Sequence, residues 1–256
     1  DLGWSRGRTL TVLAPGHNCW RVEQARQACV LIDAASYFEQ LEAALPQARR
    51  SILIVGWDFD ARIPLCPQGS CRPLGQLLRD AVETHPELEV HILVWSVGVV
   101  HGPGAAMPML IGADWQRHPR IHVRLDTEHP LYGAHHQKIV VLDDRLAFAG
   151  GIDLTIQRWD TAEHAPNHPV RRCPDGIAYG PVHDLQMAVC GPAAAALGDL
   201  ARHRWHVATK EKLEPVPPDS LSTFEWPAKL DAHFTDVPVA IARTAPAWGR
   251  HTGTRE

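Results

Sequence analysis

The 256-residue chain carries 45% hydrophobic and 21% charged residues and a formal net charge of −4. That composition excludes disordered, fibrous and disulfide-dense proteins, and it argues against a broadly basic nucleic-acid binder. No apolar run approaches the roughly 18 residues of a membrane span.

Taken in chain order, Cys29–Asp33 (CVLID) reads as a short strand, and Tyr37, Leu41, Ala44, Leu45 and Ala48 then recur at helical spacing. Ser51–Trp57 (SILIVGW) is a continuous apolar run, as expected of a strand covered on both faces. A second helical stripe, Leu74, Leu77, Leu78, Ala81 and Val82, leads to a buried strand at Val90–Trp95. Further strands are expected at Ile121–Leu125, Lys138–Leu142, Leu146–Ala149 and Leu185–Val189, the middle two joined by a turn at Asp143-Asp144. Ala193–Trp205 reads as a helix opened by Gly191-Pro192. Lys210–Pro218 is charged and proline-rich, and Val237–Ala242 is a last apolar stretch. This alternation predicts an α/β/α sandwich: a mostly mixed sheet flanked by helices. It divides the chain into an extension (1–27), a body (28–208), and a linker with a connector strand (209–256).

The chemistry-bearing stretch runs HHQKIVVLDDRLAFAGGIDLTIQRWD from His135 to Asp160. His136, Lys138 and Asp143 form H-x-K-x4-D, and this signature occurs once. Period-two geometry points His136 and Lys138 the same way, setting a nucleophile beside a cation, the pairing an attacked phosphodiester needs. Asp143 lies at an odd offset from Lys138 near the strand end, which suggests scaffold. Gly150-Gly151-Ile152-Asp153 follows: a glycine pair allowing close backbone approach, then a side chain able to hydrogen-bond a ligand. A tight turn explains the same glycines structurally. Trp57, Asp58 and Trp159 either shape the mouth of a site or pack the core.

These residues resemble the phospholipase D superfamily, the HKD enzymes. The likeness extends to GWDFD (Gly56–Asp60), GGIDLT (Gly150–Thr155), RWD (Arg158–Asp160) and HDLQMAVCGPA followed by ARHRW, as in the amino-terminal half of two-repeat phospholipases D. The resemblance implies that His136 is the nucleophile forming a phosphohistidine and that Lys138 grips the phosphate oxygens. It further implies that Gly151 and Asp153 border the phosphate pocket, and that Asp184 is the carboxylate orienting His136. His183 is balanced between pocket lining and surface, and His135 should face away from His136. His129, His164 and His168 fall in expected loops without metal-type spacing, so no catalytic metal and no cofactor are expected. The six cysteines match no zinc or redox pattern, and free thiols are favoured over a Cys66–Cys71 bridge.

One motif supplies half of a two-histidine site. The other half is expected either from a carboxyl-terminal repeat lying beyond Val237–Glu256 or from a second identical chain. The expected substrate is a glycerophospholipid, with peripheral membrane contact possible and nucleic acid disfavoured. The alternatives are a homodimeric single-motif nuclease and a non-catalytic binding or assembly module. Asp1 in place of Met fits a processed or excised chain, so the compartment stays open, with cytoplasm or a membrane surface favoured.

Overall fold

The computed structural model describes residues 12–69, 71–95, 113–130, 133–217, 225–249 and 252–256. Residues 1–11 of the expected extension, Pro218 of the linker, and Arg250 and His251 of the tail lie outside them. Eight strands form one sheet: β1 (Arg21–Ile32), β2 (Ser51–Gly56), β3 (Glu89–Trp95), β4 (Ile121–Asp126), β5 (Ile139–Leu142), β6 (Leu146–Gly150), β7 (Leu185–Cys190) and β8 (Phe234–Ile241). Their order is β4-β3-β2-β5-β6-β7-β1-β8. The pairs β2/β3 and β3/β4 are parallel and the rest antiparallel, so the sheet is mixed.

Helices α1 (Asp33–Ala44) and α2 (Leu74–Thr84) cover one face and α3 (Pro192–Thr209) the other. Alternation along the strands sorts the core accordingly. Ile52, Ile54, Val140 and Phe148 pack with Tyr37, Leu41 and Leu78, whereas Leu53, Val55, Val141 and Ala147 pack with Leu197, Leu200 and Trp205. The β2 run is apolar throughout because both of its faces are covered. The result is the expected α/β/α sandwich.

Two elements differ from the sequence reading. The first strand begins at Arg21, eight residues before Cys29, because Arg21–Gln27 pairs with β8 at the sheet margin, where polar side chains stay partly exposed. The apolar stretch near Val237 begins at Phe234 and, as β8, closes that margin. The turn between β5 and β6 is as tight as its two aspartates suggest: Asp143 and Asp144 both adopt positive φ, 52° and 55°, the left-handed pair that matches hairpin twist.

Candidate active site

Strand direction gathers the candidate residues at one rim. The carboxyl ends of β1, β2, β3, β4 and β6 and the amino ends of β5 and β7 meet there, since Val55 pairs with Ile139, Gly150 with Gln186 and Ile32 with Leu185. Along this rim lie Trp57, Trp95, Asp126, His136, Lys138, Gly151, Asp153, Asp184 and Asp33. Ligand sites in α/β sheets collect at such strand ends because loops there can converge without disturbing the core.

Lys138 and Asp153 form the floor. Both are buried, and Nζ lies 2.7 Å from Asp153 Oδ2. The two form a buried ion pair, and an ammonium carries three N–H donors, so one carboxylate oxygen does not exhaust them. Burial pulls the Lys138 pKa down more strongly than Asp153 pulls it up. Asp153 Oδ1 accepts the backbone N–H groups of Trp57 (2.9 Å) and Asp58 (3.3 Å), and Asp58 Oδ2 accepts the Thr155 hydroxyl (2.9 Å). GWDFD and GGIDLT, far apart in sequence, are thus clamped together by their own aspartates.

His136 is exposed and stands beside this floor. Its ring lies 6.1 Å from that of Trp57, over which Lys138 Nζ also sits at 5.8 Å. Trp57 stacks in turn on Trp95 at 5.5 Å, so the half-buried Trp57 forms one wall. Trp159 packs in the core against His168 instead. Desolvation first, and the Lys138 charge second, lower the His136 pKa, which keeps the imidazole neutral and nucleophilic at neutral pH.

Gly150 and Gly151 are required by close approach. A Cβ on Gly150 would meet the Leu185 carbonyl at 2.4 Å, and one on Gly151 would meet Asp184 Oδ1 at 2.1 Å. The Asp184 carboxylate therefore lies against Gly151, accepts the Leu185 N–H at 2.7 Å, and raises the His136 pKa through space. Among the described residues His136 has no hydrogen-bond partner, so Asp184 is a near neighbour here without a direct bond.

Asp143, nominated by the signature, is absent from this rim. It lies at the far end of β5, where its carboxylate accepts the N–H groups of Arg49, Arg50 and Ser51 at 2.7–2.8 Å. It anchors the start of β2 and does not reach the site. Its pKa is nonetheless raised, because burial outweighs those three donors.

Two buried networks escape the sequence reading. Asp126, fully buried, binds Arg204 of α3 (2.5 and 2.7 Å) and lies 3.1 Å from Nδ1 of His135, which is buried where His136 is exposed; both precede β5. Burial opposes its charge, yet His135 and Arg204 bring Asp126 down to about 2. The second network is Asp160 with Arg171 (2.8 Å), His164 and the Val182 N–H. Terminal aspartates of strands and loops were the available signal, but their partners lie 78 and 11 residues away. All six cysteines are free thiols.

An exposed histidine beside a buried lysine, at the strand-end rim of an α/β/α sandwich, defines a centre suited to binding a phosphodiester. No family model matches the chain. Phospholipase D B of Dictyostelium discoideum is 25% identical over 72% of this chain and 18% of its own length. Phospholipase D zeta 1 of Arabidopsis thaliana is 25% identical over 82% and 22% respectively, and mouse phospholipase D1 26% identical over 72% and 17%. This chain thus spans about a fifth of each relative. Among solved structures, the phospholipase D family member Nuc from Salmonella typhimurium aligns over 73% of this chain and 99% of its own, with 12% identity and a TM-score of 0.46. Over roughly three quarters of its length the chain is thus similar to phospholipase D proteins.

Proposed function

We propose that the chain is the amino-terminal half of a phospholipase D-type phosphodiesterase or phosphatidyltransferase acting on glycerophospholipids. The observation that carries this reading is the exposed, neutral His136 beside the buried Lys138–Asp153 pair. In the proposed reaction a His136 ring nitrogen attacks phosphorus, forming a P–N bond as the bond to the headgroup oxygen breaks. Lys138 offers its remaining donors to the non-bridging oxygens, and Asp153 holds the ammonium in place. The leaving alkoxide takes a proton from an acid on the second half. That group then deprotonates water or an alcohol, which attacks phosphorus and releases His136. Asp184 positions His136, bonding its ring once substrate and the second half are in place, and Asp143 serves as scaffold.

Support for a half-site comes from His136 itself, which lies open beside an apolar recess of about 360 Å³ lined by Met187, Val189, Leu197, Leu200 and Ile241. The body at 28–208 with its single motif would supply the nucleophile, and the connector at 209–256 would lead toward the second half. No helix among the described residues is long and apolar enough to cross a membrane, and a lipid substrate would be met at the bilayer surface.

The test combines short-chain phosphatidylcholine turnover, plasmid nicking and solution mass on the same preparation. Negligible lipid turnover by a monomer, restored by supplying the missing half, is expected. Nicking of DNA without lipid turnover would establish the single-motif nuclease, and inactivity even with the second half present would leave a binding module. Lipid turnover by a proven monomer would overturn the half-site reading.

A further inference from the structure

Beside the reactive rim, Asp33, His164 and His183 converge from three separate segments: the β1–α1 junction, the loop after Asp160, and the approach to β7. Their candidate ligand atoms all lie within 4.8 Å of one another. Neither histidine has metal-type spacing in sequence, and only the fold brings them together.

The Asp33 side chain is 1% exposed, and its Oδ2 is buried without any hydrogen bond. Facing it at 3.2 Å is His164 Nε2. The other ring nitrogen, Nδ1, lies 3.2 Å from Asp160 Oδ2, itself fixed by Arg171 and by the Val182 N–H, which bonds that same oxygen. A ring that donates Nδ1–H to Asp160 carries its lone pair on Nε2. In that tautomer Nε2 and the unbonded Asp33 Oδ2 face the same gap, and a cation placed there would take both as ligands.

The separation fits one. Ligands on a tetrahedral zinc ion at its usual N and O distances stand roughly 3.3 Å apart. Asp160 behind His164 reproduces the carboxylate–histidine backing that orients metal-bound imidazoles. His183, whose side chain is 63% exposed, supplies the third donor from the solvent side, and its Nδ1 already lies 2.8 Å from Asp33 Oδ1. Asp33 holds a left-handed backbone conformation, φ 63°, uncommon for a non-glycine residue and tolerated where surrounding structure fixes it.

The geometry points to a divalent first-row metal site formed by Asp33, His164 and His183, with two imidazoles and a carboxylate matching zinc. Its role is positional. Asp33 accepts the Asp184 N–H (3.1 Å) and donates its own N–H to the Asp184 carbonyl (2.9 Å), so a metal there would lock the segment that sets Asp184 against Gly151. The inference stands apart from the lipid reading, because binding is measured without substrate.

The decisive measurement is calorimetric titration of the chelator-treated 256-residue chain with ZnCl2, paired with visible absorption on adding CoCl2. One equivalent of Zn²⁺ should bind, and Co²⁺ should develop the d–d bands of a low-coordinate site. His183→Ala and His164→Ala should each weaken binding by at least about tenfold. The exposed His183 makes the first variant safe for folding, which circular dichroism checks. A second cluster, Glu89, His91 and His122, serves as the internal control: His91→Ala should leave binding intact. Absence of stoichiometric binding, full binding in the His164→Ala/His183→Ala double variant, or loss confined to His91→Ala would each overturn the site.

Discussion

The two ends of β5 divide the signature. At one end His136 and Lys138 meet Trp57 and Asp153; at the other, roughly 17 Å away along the strand, Asp143 meets only backbone. Both ends hold a buried carboxylate of nearly equal exposure, Asp153 at 2% and Asp143 at 1%. One carboxylate pairs with a lysine that has further donors to offer, while the other binds only backbone N–H groups. A motif written as one string is therefore two devices, a reactive rim and a strand anchor. The kind of partner a carboxylate holds, a side-chain cation or backbone N–H groups, tells which is which better than its burial does.

Substitutions can break or sharpen that division. With the proposed second half supplied, His136→Ala or Lys138→Met should lower turnover by at least about 10³-fold, and the His136 variant should leave the urea midpoint close to wild type. Asp143→Ala should do the reverse, costing about 3 kcal/mol of unfolding free energy by orphaning three N–H groups, with turnover per folded molecule preserved. If Asp143→Ala lowers turnover without moving the midpoint, the anchor reading fails. Gly151→Ala is intermediate: its Cβ would press on Asp184 Oδ1, so a loss of about 1–3 kcal/mol should accompany a change at His136. Unchanged His136 resonances in that variant would show that Asp184 does not position the ring.

Local patterns made the sheet readable where burial was two-sided or a turn needed aspartates: β2, β3, β5 and the Asp143-Asp144 hairpin follow directly from their residues. Arg21–Gln27 did not read as strand because a marginal strand keeps polar side chains on both faces. At the site, His136 and Lys138 stood out by their spacing and Gly151 and Asp153 by a glycine pair, although β5 begins only at Ile139, so His136 and Lys138 precede the strand whose alternation was expected to align them. The Asp126–Arg204 and Asp33–His164–His183 groupings were not, since each joins segments with no shared period. Only the three-dimensional fold supplies their proximity.

The finest test of the reactive rim is the titration of His136. Its pKa lies below the usual 6.5, with burial as the larger cause and Lys138 as the next. The folded protein therefore excludes a proton that the unfolded chain accepts, so lowering the pH from neutrality protonates the ring, removes its nucleophilic lone pair, and favours unfolding. Turnover should accordingly fall on the acid side only below 6.5. Removing the cation in Lys138→Met should move the His136 pKa upward, though not past the contribution of burial, which persists. Two-dimensional NMR of the imidazole C–H resonances reads this directly, without substrate and without the second half. A His136 that titrates at or above 6.5 in the wild-type chain, or that is indifferent to Lys138→Met, would mean that the two side chains do not share one electrostatic environment. The rim would then be a coincidence of strand ends.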